Sequence, residues 1–294
     1  MIEDGVFTAP SGRRIGFARY GDPKGAAVFY CHGLPSSRLE AKLVEDTARR
    51  LHLHLIALDR PGYGRSDPLP PAAIADWPSD LEQVADHLQI KRFSILGVSG
   101  GGPYALAGGA RLKTRVVNLS LVCPLGPVAC PSLRRGMSTA AHLAFFLTQR
   151  APWALPWFFG EPTARFLRRH PDRVFALLRR ALPEKDHEAL ANSEIYHALC
   201  ATVRQGLSQG AKGVLRDFHQ YLKPWGFALN EVEQPTTLWH GSADTVVPLS
   251  HSQYLAERLP NATLFVLPAE GHYSLPVNGA STILASIVQI RQSS

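Results

Sequence analysis

Apolar residues in this chain gather into short runs separated by longer amphipathic stretches. Residues 26–31, 54–58, 94–98, 116–123 and 236–239 form such runs; Asn118 and Ser120 interrupt the fourth, and none alternates apolar with polar positions over its whole length. A strand reads this way when both of its faces are covered, so the runs predict a parallel sheet between two layers of helices. Residues 263–267 predict a last strand. Residues 38–51, 77–88, 101–109, 253–259 and 281–292 carry the helical period between them. In 77–88 the apolar face is Leu81, Val84, Ala85 and Leu88. At the start, 6–9 and 14–20 flank Pro10-Ser11-Gly12-Arg13 and predict a hairpin.

The rhythm of strand and helix stops at Pro124. Residues 130–228 hold no strand pattern and read as helices rich in aromatics: Phe145, Phe146, Trp153, Trp157, Phe158, Phe159, Phe175, Phe218, Tyr221 and Trp225. The chain is therefore expected to be one α/β core, residues 1–129 and 230–294, interrupted by a helical cap (a lid) at 130–229. Most cap aromatics are expected to fill its own core. The rest suggest an apolar acyl or alcohol pocket.

Charge sharpens this division. The net charge is +7, and 130–228 holds 14 Lys/Arg against 7 Asp/Glu, whereas the remainder has 17 of each. A solvated helix surface accounts for the excess. Attraction of an anionic substrate or a membrane surface is the second reading. Nucleic acid is excluded as a partner, because no recognition motif accompanies the charge. No run approaches the ~20 apolar residues of a membrane span, so no stable membrane insertion is expected. The start is acidic, without the apolar segment of a signal peptide, which suggests a cytoplasmic protein. Cys31, Cys123, Cys130 and Cys200 lack metal-ligand spacing and are expected to be reduced thiols, although the spacing of Cys123 and Cys130 permits a bridge. No cofactor and no metal are implied, and a homodimer is left open.

The candidate chemistry sits at Gly97-Val98-Ser99-Gly100-Gly101, a G-x-S-x-G turn between a buried strand and a small-residue helix. Side chains at Gly97 and Gly101 would collide across such a turn. Gly206-Leu207-Ser208-Gln209-Gly210 fits the same pattern but has neither strand nor helix in register, so Ser208 is read as a solvated polar residue.

A serine hydroxyl needs a base, and the base needs a carboxylate to orient it. In a parallel sheet such groups collect just after the strands. Asp244 follows the strand ending at Trp239, and His272 follows the one ending at Leu267. The strand ending at Cys123 offers no carboxylate. His240 and Asp59 also follow strands, and are read as structural and turn-stabilising. Glu270 is too near His272 in sequence for good geometry. An oxyanion hole requires two backbone N–H groups. Gly100 supplies one. The loop His32-Gly33-Leu34-Pro35 supplies the other from Leu34 or Gly33, since Pro35 has no N–H.

Together, the Ser–Asp–His order, the H-G-x-P loop, the stretch Asp59-Arg60-Pro61-Gly62-Tyr63-Gly64-Arg65-Ser66, the serine elbow and the H-G-x-x-D loop resemble the α/β-hydrolase superfamily over 14–123 and 233–290. The resemblance implies an α/β-hydrolase fold: a mostly parallel eight-stranded sheet flanked by helices, with a helical cap inserted between the sixth and seventh strands. It implies Ser99 as nucleophile, His272 as base, Asp244 as its orienter, and Leu34 and Gly100 as oxyanion donors. Haloalkane dehalogenases and epoxide hydrolases of this superfamily carry Asp at the elbow, so Ser99 argues against both. Proline iminopeptidases carry Trp after the nucleophile, where this chain has Gly100, which argues against a peptidase. The expected function is hydrolysis of small or medium hydrophobic carboxylic esters through an acyl-enzyme on Ser99. C–C bond hydrolysis, lactonase, thioesterase and cofactor-free perhydrolase chemistry use the same triad, and a non-catalytic binding or signalling protein uses the same fold.

Overall fold

The apolar runs become the centre of one sheet. The computed structural model describes residues 1–69 and 73–292. Eight strands, β1 Glu3–Thr8, β2 Arg14–Gly21, β3 Ala26–Cys31, β4 Leu53–Leu58, β5 Phe93–Val98, β6 Val116–Val122, β7 Thr236–Gly241 and β8 Ala262–Leu267, lie in the order β1-β2-β4-β3-β5-β6-β7-β8. The β1/β2 and β2/β4 pairs are antiparallel and all others parallel. Every residue of β4, β5, β6 and β7 is buried, whereas the edge strands β1 and β8 are partly exposed. The missing alternation in the central strands thus records cover on both faces.

Helices α1 Glu45–Arg50, α2 Pro78–His87 and α3 Gly102–Arg111 follow the early strands. Seven more fall between β6 and β7: α4 Thr139–Arg150, α5 Leu155–Phe159, α6 Glu161–Arg169, α7 Pro171–Arg179, α8 Glu184–Ala189, α9 Ser193–Gly206 and α10 Lys212–Leu222. The chain closes with α11 Ser250–Ala256, α12 Leu275–Asn278 and α13 Ala280–Gln292.

Successive strand residues enter opposite cores, as a two-residue period requires. Phe29 and Ile95 pack with Leu81 and Val84 of α2 and Leu106 of α3. Val28 and Leu96 pack on the other face with Ala48 of α1 and Ile283, Leu284 and Ile287 of α13. The inserted helices are divided. Phe145, Leu155, Phe218 and Tyr221 join the first core, while Ala164, Phe175, Leu190, Cys200, Val203 and Leu207 form a smaller core of their own. Phe146, Trp153, Trp157 and Phe158 join neither and are exposed, so they do not fill the cap core as their composition had suggested.

All four cysteines are free, and Cys31, Cys123 and Cys200 are buried. Among the described residues no helix is long and apolar enough to cross a membrane.

Asp59, just after β4, holds the carboxyl edge of the sheet. Its carboxylate accepts from Arg38 N (2.8 Å), Arg38 Nη1 (2.7 Å) and Arg65 N (2.8 Å), and both members of the Arg38–Asp59 ion pair are fully buried. Asp59→Ala leaves Arg38 with Asp4 alone (Nε to Oδ1, 2.6 Å) and takes the acceptor from the Arg38 and Arg65 N–H groups, so it should cost about 1–3 kcal/mol. Urea denaturation of parent and variant measures this.

Candidate active site

β5 ends at Val98, and the chain turns through Ser99–Gly101 into α3. Ser99 has φ +53°, a left-handed conformation that side chains rarely adopt. Small neighbours allow it. A Cβ on Gly97 would lie 2.7 Å from Ala105 Cβ and 3.1 Å from Gly101 O. A Cβ on Gly101 would lie 2.1 Å from Cys31 O, on β3. Gly97 is therefore held small across the turn, as expected. Gly101 instead is held small by the neighbouring strand, which corrects the simpler reading.

Ser99, His272 and Asp244 form one hydrogen-bonded chain. Ser99 Oγ lies 3.0 Å from His272 Nε2, and His272 Nδ1 lies 2.7 Å from Asp244 Oδ2. The other carboxylate oxygen, Oδ1, accepts from Val246 N (2.8 Å) and Val247 N (2.9 Å), so the carboxylate is fixed from both sides. Burial works against ionising the His272 ring. The charge and hydrogen bond of Asp244, with Asp186 and Glu40 adding to them, outweigh burial and leave its pKa above the ordinary value. Burial likewise opposes ionised Asp244, but His272, His240 and the Val247 N–H hold its carboxyl below the usual range.

The competing groups have other partners. His240 is buried, with Nδ1 2.7 Å from Ser252 Oγ and Nε2 2.9 Å from Val247 O. Glu270 accepts from Lys185 Nζ (2.7 Å) and Asn278 Nδ2 (3.2 Å). Ser208 is exposed, and its hydroxyl donates to Gly64 O at 2.9 Å. Cys123 Sγ, the Asp244 carboxylate and a His272 nitrogen lie within 4.8 Å of one another, the one such donor cluster among the described residues. Burial and the Asp244 charge push the Cys123 thiol pKa well up, which disfavours the thiolate a metal binds.

The loop at 32–35, expected to carry an oxyanion donor, is held by hydrogen bonds from several elements. Gly33 N–H donates to both oxygens of Glu40 (3.1 and 3.3 Å), which takes it out of contention and leaves Leu34. A Cβ on Gly100 would lie 3.2 Å from Leu34 Cβ and 2.5 Å from Tyr221 Oη, so Leu34 and Gly100 face each other beside Ser99. Tyr221 Oη donates to Gly100 O (2.8 Å) and accepts from Arg60 Nη1 (3.1 Å). Arg60 Nη2 donates to Gly33 O (2.7 Å), and Nη1 also meets Asp217 Oδ2 at 2.6 Å. Tyr63 and Tyr104 donate to the same Asp217 carboxylate at 2.8 and 2.5 Å.

Sequence reasoning missed Asp186. This carboxylate on α8 is fully buried and accepts from His272 N (2.9 Å), Tyr273 N (2.9 Å) and Ser274 N (2.8 Å). Gly271 makes room for it: a Cβ there would lie 2.4 Å from its carboxylate atoms. The helix sequence around Asp186 carries no motif that singles it out. Arg60 lies within the stretch that carried the family resemblance, but nothing local named Asp217 as its partner.

Ser99 stands between two cavities. The larger, about 520 Å³, is walled by Met137, Phe145, Phe159, Val214 and Phe218. The smaller, about 150 Å³, is walled by Tyr30, Glu40, Phe175, Leu199 and Val203, and His272 opens onto it. Apolar groups dominate both walls. Aromatics of the inserted helices, Phe145, Phe159, Phe175 and Phe218, thus supply cavity walls.

Asp186→Asn keeps the size of the side chain and removes the charge that three amides share. It should lower stability by about 1–3 kcal/mol, read by urea denaturation. It should slow reaction of Ser99 with a fluorophosphonate by on the order of tenfold or more, because the His272 loop is displaced. Parent-like values in both measurements would remove Asp186 from the site.

Residues 26–278 match the family described as alpha/beta hydrolase fold. A putative proline iminopeptidase of Mycoplasma pneumoniae is 24% identical over 96% of each chain. A pimeloyl-[acyl-carrier protein] methyl ester esterase of Nitrosomonas europaea is 27% identical over 78% of this chain and 81% of its own. The solved structure of a thermophilic esterase from Thermogutta terrifontis superposes with a TM-score of 0.68 at 20% identity, covering 98% of this chain and 99% of that one. With a doubly covered eight-stranded sheet, a serine at the turn after β5 and a family match across most of its length, the chain belongs to the α/β-hydrolase family.

Proposed function

We propose that the protein is a serine hydrolase of carboxylic esters with an apolar acyl or alcohol part. One observation carries this reading: the Ser99–His272–Asp244 chain of hydrogen bonds ends between two apolar cavities, with Leu34 and Gly100 facing each other beside the hydroxyl. Ser99 Oγ attacks the ester carbonyl carbon while His272 Nε2 takes its proton. Leu34 and Gly100 N–H groups receive the oxyanion. Collapse breaks the ester bond, and the leaving alcohol takes the proton from His272. Water then gives a proton to His272 and attacks the acyl carbon. The second collapse frees the acid and returns the proton to Ser99 Oγ. The sum is ester plus water to acid plus alcohol.

The relatives carry both peptidase and esterase names, and Gly100 bears on the choice. A Cβ there would meet Tyr221 Oη at 2.5 Å, so this elbow has no space for the Trp that proline iminopeptidases carry after the nucleophile. The apolar walls favour an ester over a charged peptide end. Chemistry on a C–C bond, lactone, thioester or peracid would use the same groups, and a substrate panel separates these from simple esters.

Ser99→Ala should lower hydrolysis of short p-nitrophenyl esters by about 10⁴-fold or more with the fold intact by circular dichroism. Parent-like turnover would overturn the reading. Failure of a fluorophosphonate to label the folded parent at Ser99 would point to a binding protein instead.

The base must be neutral to accept the proton. Since the His272 pKa is raised above 6.5, kcat/KM should fall as pH drops through a value above 6.5, at about tenfold per pH unit in the limit. Asp244→Asn removes the largest cause of the rise, so this limb should move to lower pH while the rate at neutral pH falls by about 10⁴-fold. An acid limb that stays in place would separate it from His272.

A further inference from the structure

The inserted helices carry a surface that neither cavity nor core uses. Leu143, Phe146 and Arg150 lie at helical spacing on the outer face of α4, and all are exposed. Trp153 and Trp157, in the next turn of chain and on α5, are 77% and 78% exposed, and Phe158 is exposed beside them. On α6, Arg165, Phe166 and Arg169 continue the pattern. Helix α5 packs on both α4 and α6, and since α4 and α6 turn their other sides to one cavity, these exposed residues lie on the side of the three helices away from it. Between 139 and 169 the chain has four arginines and a single acidic residue, Glu161. Arg150, Arg165 and Arg169 make no ion pair among the described residues.

We propose that this face of α4, α5 and α6 is a docking surface for an anionic lipid membrane, on which the protein lies without spanning it. Exposed tryptophan is costly in water, and its ring suits the boundary between headgroups and acyl chains. Arginines around such rings meet anionic headgroups. A second copy of this chain is a poorer occupant, because a two-fold contact would bring two patches of the same positive sign together. The inner faces of the same helices give the surface a use. Ala141 and Phe145 of α4 and Thr163, Ala164 and Leu167 of α6 line the larger cavity beside Ser99. The helices that would rest on the lipid are therefore those that wall the apolar chamber. This docking does not depend on which bond the site cleaves.

The test is flotation of the full chain with vesicles of phosphatidylcholine, with and without phosphatidylglycerol. Binding should require phosphatidylglycerol, weaken with added salt, and shift tryptophan emission to the blue. Trp153→Ser with Trp157→Ser should weaken binding by roughly tenfold. Arg150→Gln with Arg165→Gln should weaken it by roughly twenty-five-fold, about fivefold for each charge. Both variants should melt at the parent temperature by circular dichroism and hydrolyse a short soluble ester at the parent rate. No binding to the anionic vesicles, or binding that both variants retain, overturns the proposal. So does dimerisation of the parent that is lost in the tryptophan variant without vesicle binding, which would assign the face to a second copy.

Discussion

The ion pair between Arg60 and Asp217 is the constraint from which the site hangs. Arg60 follows β4 and Asp217 sits on α10, separated by 157 positions in sequence, and both are fully buried. A lone guanidinium or carboxylate in that interior would be prohibitively unfavourable, so each charge dictates where the other must be. An apolar pair could fill the same space with no preferred direction. What the charged pair contributes is register. Asp217 meets Arg60, Tyr63 and Tyr104 at once, and Arg60 reaches Gly33 O. Tyr221, one helical turn beyond Asp217, reaches Gly100 O. Both backbone segments proposed to receive an oxyanion are thereby referred to one inserted helix.

A related device, a buried carboxylate that gathers backbone N–H groups, recurs at the loops after β3, β4, β7 and β8. Asp59 takes the N–H groups of Arg38 and Arg65, Glu40 that of Gly33, Asp244 those of Val246 and Val247, and Asp186 those of His272, Tyr273 and Ser274. A carboxylate satisfies several buried donors with one group, which suits irregular backbone that no ladder can pair. The arrangement also has an electrostatic consequence. Asp244, Asp186 and Glu40 converge on His272, and together they offset the penalty of burying an imidazolium there. The groups that hold the loops in place also favour the charged ring that the proposed reaction needs as an intermediate state.

This explains which parts were legible in the sequence. The central strands were, because double burial writes a mainly apolar run into them, even where Asn118 and Ser120 interrupt that of β6. Ser99, Asp244 and His272 were, because a parallel sheet sends its strand ends to one edge and only a few polar residues follow them. Asp186 and Asp217 were not. Their partners lie 86 and 157 positions away, on elements that composition alone could only describe as helical. The exposed Trp153 and Trp157 were misread for a related reason. Aromatic content implies burial only where a neighbour covers the ring, and helical period does not say which neighbour a face will meet. Gly101 shows the same limit on a smaller scale, since the carbonyl that forbids its side chain belongs to β3.

The proposed reacting groups and the walls of the two cavities occupy different layers of this molecule. Ser99 and the loops bearing Asp244 and His272 rise from strands whose positions the sheet fixes. The division between the two cavities is drawn by Leu34, Pro35, Leu167, Leu178, Val246 and Tyr273, which line both. Leu167 and Leu178 belong to α6 and α7, so helices of the insertion set how much room each side of the serine has. A shift of those helices would move the partition while leaving the hydrogen bonds of Ser99 and His272 in place. It could not move freely, because Asp186 and Asp217 tie α8 and α10 to the loops beneath them. The insertion is thus anchored through charge where it meets the proposed chemistry and apolar where it meets substrate, and its freedom to alter specificity lies in the helices between the two anchors and the sheet.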